Sequence, residues 1–181
     1  LAGDEETYRA AMVAWDHFLL RPCLLHALRL TTRPAGVEGI DMDGPVPDIL
    51  ARLDLSSFRS SLGPSLPEGR GPVPMRAYFG AADGNPDLEL TIRADGFDYL
   101  SRRDDKDDWL WTLSLLAAAD WTGDGKGEVL VSWEDDSLGQ GTYLVFDLLF
   151  LSAAGAGAPI RALHVQDWLY ARRAGIIPLL E

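Results

Sequence analysis

One short segment, Asp120 to Glu128, places oxygen-bearing side chains at a spacing that could bind a metal ion. Side-chain oxygens occur at its first, third, fifth and ninth positions, and the glycine at the sixth position permits a sharp turn. Calcium prefers six to eight hard oxygen ligands and tolerates irregular geometry. The segment therefore predicts a calcium loop. Its candidate ligand residues are Asp120, Thr122, Asp124, Lys126 and Glu128.

The residues that follow the loop distinguish it from a helix-loop-helix calcium site. An EF-hand has a bidentate glutamate at position twelve, where this chain has Val131. The run Val-Leu-Val-Ser-Trp after Glu128 is β-branched and apolar, which predicts a strand. The order Asp-x-Thr-x-Asp-Gly-x-x-Glu before such a run resembles the calcium loops of FG-GAP and VCBS repeats. These families usually carry Asn or Asp in place of Thr122 and Asp in place of Glu128.

The resemblance implies a β-rich, secreted or cell-surface protein with an ion held between two adjacent strands. It covers this loop alone, and the sequence contains no second copy. A propeller of such repeats is excluded, because repeat folds need several units to bury a core. The alternative to a metal site is a plain polar turn, in which Gly and Asp supply the backbone conformations. A plain turn does not require Asp120 and Glu128 at ligand spacing, so the calcium loop is the favoured interpretation.

The charge distribution agrees with a cation site and argues against anionic partners. The net charge is −12, and between Asp83 and Asp136 there are 15 acidic and 5 basic residues. Such a surface repels phosphate backbones and anionic lipid, so nucleic acid and membrane-surface partners are not expected. No uninterrupted apolar run is long enough to span a bilayer. The simpler alternative is a solvated acidic face that maintains solubility.

A tryptophan-rich segment supports a second class of function. Exposed tryptophans stack on sugar rings, and paired carboxylates catalyse glycoside hydrolysis. Strand periodicity, however, places Trp109 and Trp111 on one face with Leu113 and Leu115, which is typical of a core. Only Trp121, inside the proposed loop, is expected near the surface. The alternative function is therefore a carbohydrate-binding or carbohydrate-active protein that uses Trp109, Trp111, Trp121 and Trp133 with the acidic residues around them.

No catalytic constellation is found. The histidines His17, His26 and His164 are far apart, and none belongs to an HExxH pair. Cys23 is the only cysteine, so an intramolecular disulfide is excluded, and its apolar neighbours favour a packing role. No nucleophile elbow, phosphate loop or dinucleotide fingerprint is present. A catalytic role is therefore not predicted.

Periodicity predicts a single α+β domain over residues 1–181. A helix over residues 4–19 precedes an irregular Pro/Gly-rich segment up to residue 74, in which residues 48–58 could be helix or strand. An antiparallel meander of about six strands follows in residues 75–151, with the N-terminal helix, and as an open alternative the C-terminal one, on one face. A loop over residues 152–159 leads to a helix over 163–173, with a strand over 160–166 as the alternative. The predicted strands are 75–81, 87–93, 97–101, 109–117, 128–134 and 142–151.

The sequence thus favours an extracytoplasmic calcium-binding protein that acts as a binding or structural module. Its expected partner is another protein or a surface polymer. Because the chain begins with Leu1, either a longer precursor or a trimmed chain is expected. The expected location is periplasmic, lipid-anchored or secreted. The scarcity of lysine relative to arginine, with abundant Ala and Gly, indicates a GC-rich bacterial source.

Overall fold

The computed structural model shows one antiparallel sheet of six strands that follow one another in sequence order. It describes residues 37–41, 44–58, 73–75, 88–101, 109–122, 124–138 and 144–173. Among these residues the fold is mostly β, so the predicted antiparallel meander is confirmed. The strands are β1 (Leu88–Arg93), β2 (Gly96–Ser101), β3 (Trp109–Ala119), β4 (Glu128–Ser137), β5 (Leu144–Ala153) and β6 (Ile160–His164).

The sheet contains one strand beyond the five predicted strands that fall among the described residues. The candidate strand over 75–81 begins at Met75, which is helical, and residues 76–81 lie outside the described residues. This additional strand is β6, which leads directly into helix α2 (Val165–Arg173). Both alternatives left open for the C-terminal region are therefore present, one after the other. The predicted helix over 4–19 lies outside the described residues, so its predicted packing on one face of the sheet stays a prediction.

A β-bulge in β3 changes which side chains face each side of the sheet. Leu115 lies opposite Val131 on β4, whereas Ala117 lies opposite Leu130, so the register shifts between the two β3 residues. An extra residue in one strand inverts the alternation of side chains beyond it. Odd-numbered residues of β3 therefore share a face with Val131 before the bulge and with Leu130 after it.

The two faces of the sheet carry separate hydrophobic cores. The larger core contains Trp133, Phe97 and Leu113, each fully buried, and Trp111 and Leu115 pack against it. This confirms that the face shared by Trp111, Leu113 and Leu115 is core, because the sheet buries it under the chain around residues 46–55. The second core lies on the other face. Its buried members are Trp121, Leu130, Leu148, Phe150, Val165 and Trp168.

A short helix, α1 (Pro45–Arg52), resolves the ambiguous segment over 48–58. Proline at the start of the helix suits its first turn, where the missing N–H has no partner to lose. Arg52 binds Asp48 through Nη1 at 2.8 and 2.6 Å and donates through Nη2 to Ala158 O at 2.6 Å. This network fixes α1 against the loop after β5. A 3-10 turn, Leu55–Ser57, then follows.

Strand β1 departs from its expected burial. Alternation in the sequence predicts a half-buried strand with Leu90 and Ile92 on the covered face. The structure confirms the strand but leaves Leu90 40% and Ile92 54% exposed. The physical reason is position, because β1 is the edge strand and the core beneath β2 ends before reaching it.

Candidate metal site

The predicted loop connects β3 to β4 and begins and ends on paired strands. Ala119 at the end of β3 lies opposite Glu128 at the start of β4. Asp120 follows β3 immediately, so two of the candidate ligands are positioned by the sheet itself. A side chain on a strand is held more firmly than one on a free loop, because the ladder fixes its backbone.

Three carboxylates converge at this connection. One side-chain oxygen from each of Asp120, Asp124 and Glu128 lies within 4.8 Å of the others. Calcium binds oxygen at about 2.3–2.6 Å, so ligands on opposite sides of the ion are separated by about 4.6–5.2 Å. The three oxygens can therefore surround one cation. The structure thus brings together three of the five residues that spacing predicts.

Glu128 is the most buried of these groups, with only 1% of its surface exposed. Its Oε2 accepts from the backbone N–H of Trp121 at 2.8 Å and of Thr122 at 3.3 Å. Burial raises the pKa of Glu128 above its ordinary value, and repulsion from Asp124 adds to the rise, while the hydrogen bonds oppose it. A nearby cation would favour the ionised form of this carboxyl.

The turn itself is shaped by the same carboxylates. Gly125 has a φ of +91°, which an L side chain rarely adopts. Its N–H donates to Asp120 Oδ2 at 3.1 Å, and the N–H of Lys126 donates to Asp124 Oδ1 at 2.8 Å. A carboxylate offers about four acceptor positions. These hydrogen bonds therefore orient the two aspartates around the turn.

The two other predicted ligands have different positions. Thr122 donates its hydroxyl to Glu128 Oε1 at 3.0 Å and thereby supports a neighbouring carboxylate. Its oxygen still has lone pairs, so its role as a ligand stays a prediction. Lys126 is exposed, and its ammonium group cannot bind a cation. Only the main-chain carbonyl of Lys126 could serve as a ligand, and this also stays a prediction.

A fourth carboxylate near the site could not be found from the loop spacing. Glu38 lines a small cleft together with Asp124, Lys126 and Glu128, and residues 152–154 form its other wall. Its neighbour Gly39 has a φ of +77°, and a Cβ there would lie 2.8 Å from the backbone of Gly155. This close approach places Glu38 beside the loop. The glycine in Val-Glu-Gly is the only sequence signal, and it is too common to be specific.

Trp121 was predicted near the surface, and this prediction is wrong. Its side chain is 2% exposed and stacks on Phe150 at a centroid distance of 6.2 Å. The bulge in β3 is the cause, because it turns the chain after Ala117 so that Trp121 enters the second core. Trp133 is fully buried as well. Two of the four tryptophans are therefore unavailable for stacking on a saccharide.

The remaining tryptophans of the segment are partly buried. Trp109 donates through Nε1 to Asp135 Oδ1, and its ring lies 6.1 Å from that of Trp111 at a tilt of 36°. His164, the one histidine of the three among the described residues, is in contact with a carboxylate. It is 3% exposed, and its Nδ1 lies 2.6 Å from Asp147 Oδ2.

No protein-family model, curated protein or solved structure matches this chain. None of the helical segments among the described residues combines the length and hydrophobicity of a membrane-spanning helix.

Proposed function

We propose that the loop from Asp120 to Glu128 binds one calcium ion and that the ion joins β3 to β4. The observation that supports this proposal is the convergence of three carboxylates within 4.8 Å, one of them on a fully buried side chain. Three negative charges so close together repel one another. A divalent cation relieves that repulsion and also compensates the burial of Glu128.

Calcium fits this site better than the softer transition metals. All three side-chain ligands are carboxylates, whereas zinc and copper sites are rich in His and Cys. Magnesium requires a nearly octahedral arrangement at about 2.0–2.1 Å and retains several waters. A loop that contributes irregular oxygen ligands from both ends and the middle suits calcium, which tolerates such geometry.

The protein then acts as a calcium-stabilised binding or structural module in an extracytoplasmic compartment. Extracellular calcium sites of modest affinity, about 10⁻⁴–10⁻³ M, function where calcium is abundant. The resemblance of the loop to FG-GAP and VCBS sequences supports the same location. The partner that best fits the proposal is another protein or a surface polymer, since the net charge of −12 disfavours nucleic acid.

Thermal unfolding tests the proposal. An ion that binds only the folded loop stabilises the protein by mass action. The melting temperature in millimolar calcium should be several degrees higher than in chelator. This difference corresponds to about 1–3 kcal/mol for a chain of this size. The matched control is the Asp120→Asn/Asp124→Asn double variant, whose melting should not respond to calcium. Equal responses of the wild type and the double variant would refute the site.

The carbohydrate function is the weaker alternative. It depends on Trp109 and Trp111 alone, because Trp121 and Trp133 are buried. Trp111 packs against the larger core, and Trp109 is hydrogen-bonded to Asp135. If Trp109→Ala lost affinity for a polysaccharide while its melting temperature stayed unchanged, this alternative would take first place.

A further inference from the structure

The two edges of the sheet differ in how their backbone groups are satisfied. At the β6 edge, the N–H of Asp54 donates to Ile160 O at 2.8 Å, and the N–H of Ala162 donates to Ser57 Oγ at 2.9 Å. The chain around residues 53–57 therefore covers that edge. At the other edge, none of the described residues pairs with the outer side of β1.

Strand β1 also exposes apolar side chains on one face of the sheet. Ile92 lies opposite Phe97, and Leu90 lies opposite Tyr99, so both side chains continue the face of the larger core. They are nevertheless 54% and 40% exposed, whereas Phe97 is fully buried. An exposed apolar edge strand pairs readily with another strand, and natural proteins usually protect such an edge.

The backbone of β1 is in the right phase for further pairing. Arg93 and Gly96 close the two-residue turn between β1 and β2. The pair that closes such a turn exchanges its hydrogen bonds, and the pattern then alternates along the strand. Arg93, Thr91 and Glu89 therefore direct their N–H and C=O groups toward β2. Leu90 and Ile92 direct theirs outward.

The sequence of β1 is complementary to itself in the antiparallel direction. When two copies pair about Thr91, Leu90 of each copy lies opposite Ile92 of the other, and Glu89 lies opposite Arg93. This register joins the outward-facing backbone groups and matches apolar with apolar and acid with base. Cross-strand pairs of these kinds stabilise sheets, whereas like charges directly opposite destabilise them.

Arg93 now contacts residues of β2 and β3, and it must turn toward the open edge to pair with Glu89 of a second copy. Its Nε lies 3.3 Å from Asp98 Oδ2, and its Nη2 lies 3.2 Å from Ser114 Oγ. The guanidinium has five N–H donors, so capacity for a second carboxylate remains. The side chain is 37% exposed, which leaves it accessible from the open edge.

We infer that β1 is a homodimer interface, where two copies of this chain pair antiparallel about Thr91 and extend the sheet across a two-fold axis. A two-fold axis places the same surface of both copies in contact, so each favourable pair occurs twice. This inference is independent of the calcium site, because the loop lies between β3 and β4 and the interface lies at β1.

Sedimentation velocity over a concentration series tests the interface. The wild type should show a reversible monomer–dimer equilibrium. Glu89→Arg places like charges opposite one another in both symmetric pairs and should weaken the dimer at least about tenfold. The E89R/R93E double variant restores opposite charges across the interface and should bind more tightly than Glu89→Arg, although it loses the contact of Arg93 with Asp98. Asp167→Arg, which changes the charge equally on α2 beyond the covered edge, is the control and should leave the dimer unchanged.

Ile92→Lys provides a second disruption, since it places a charge among the paired apolar residues. It should yield a folded monomer, with far-ultraviolet circular dichroism and melting close to those of the wild-type monomer. A wild type that stays monomeric at all concentrations would overturn the inference, because another segment of the same chain would then occupy the edge. A dimer that withstands both Glu89→Arg and Ile92→Lys would overturn it too.

Discussion

Two connections of the sheet contain the dipeptide Asp-Gly, and the glycine of each is required for a different reason. Gly96, after Asp95, has no positive φ, but a Cβ there would lie 1.9 Å from the carbonyl oxygen of Leu113. Gly125, after Asp124, has open space around it and a φ of +91°. The first glycine permits close approach of two strands, and the second permits an unusual backbone conformation.

The aspartates of the two connections differ in the same way. Asp95 contributes a backbone contact, because its carbonyl accepts from the N–H of Leu115 at 2.6 Å. Asp124 directs its carboxylate toward two others, and its repulsion adds to the burial that raises the pKa of Glu128. The β1–β2 turn therefore packs closely against β3, whereas the β3–β4 loop brings negative charges together. A shared dipeptide motif does not identify which of these roles a turn performs.

Substitution of Gly96 should have the largest effect on stability. Gly96→Ala introduces a methyl group into a backbone contact that cannot yield without moving β3, so the free energy of unfolding should fall by about 3 kcal/mol or more. Urea denaturation measures the change. Gly44→Ala is the control, because no atom lies within 4 Å of its added Cβ, and it should cost less than about 1 kcal/mol. Equal losses for the two variants would show that the close approach at Gly96 is not real.

The effect of Glu128→Gln on the stability of the protein should change sign when calcium is added. Without a cation, the raised pKa means that the ionised carboxyl is disfavoured in the folded state. Glu128 therefore contributes to the stability of the folded state at low pH, where the carboxyl is protonated. This contribution is lost as the pH rises through the pKa of the folded state. Glu128→Gln removes this loss and can keep the hydrogen bonds to the backbone N–H groups. In chelator at about pH 7 the variant should be as stable as the wild type or about 1 kcal/mol more stable.

In calcium the order should reverse, because the variant lacks a charged ligand. The wild type should then be more stable than Glu128→Gln by about 1–2 kcal/mol. Thermal melts at about pH 4 and about pH 7, each with and without calcium, measure both effects. A variant that is destabilised equally in chelator and in calcium would mean that Glu128 has a purely structural role.

At Gly125 alanine should be more destabilising than asparagine, whereas at Gly96 it should not. Gly125→Ala places a Cβ on a positive-φ residue and should cost about 1 kcal/mol. Gly125→Asn should cost less, since asparagine tolerates left-handed conformations better. At Gly96 the larger Asn side chain should be at least as harmful as Ala. Urea denaturation of the four variants compares the two positions, and the same order at both would contradict the distinction.

The smallest expected effect separates two of the candidate ligands inside the loop, Thr122 and Asp124. Asp124→Ala should reduce the calcium-induced rise in melting temperature more than Thr122→Ala does, because a carboxylate contributes charge and a threonine hydroxyl does not. Thr122→Ala should act partly through Glu128, because it removes the hydroxyl that donates to Glu128 Oε1. A larger loss for Thr122→Ala would show that the ligand positions are misassigned.

Alternation and turn residues predict most of the sheet. The alternation over 87–93 predicts strand β1, observed as Leu88–Arg93, and the turn signal Ala94-Asp95-Gly96 predicts the hairpin. Periodicity cannot reveal the bulge at Leu115 and Ala117, because the bulge depends on the partner strand. That single irregularity decides the burial of Trp121. Likewise, the edge position of β1 depends on the order of the strands, which local alternation does not encode.

The loop spacing predicts which carboxylates converge, because ligands within one short turn are close in space whatever surrounds them. It cannot predict Glu38, which reaches the cleft through the contact of Gly39 with Gly155. Nor can it show that Thr122 donates to Glu128, since that hydrogen bond depends on the direction of both side chains.

Calorimetric titration of calcium tests the central claim most directly, with the two aspartates of the Asp-Gly dipeptides as a matched pair. The wild type and Asp95→Asn should each bind one ion with the same affinity, because Asp95 lies in the turn that is built for packing. Asp124→Asn should bind at least about tenfold more weakly, as expected for the loss of a charged ligand. Absence of calcium binding by the wild type, or equal affinity of Asp124→Asn and Asp95→Asn, would contradict the account.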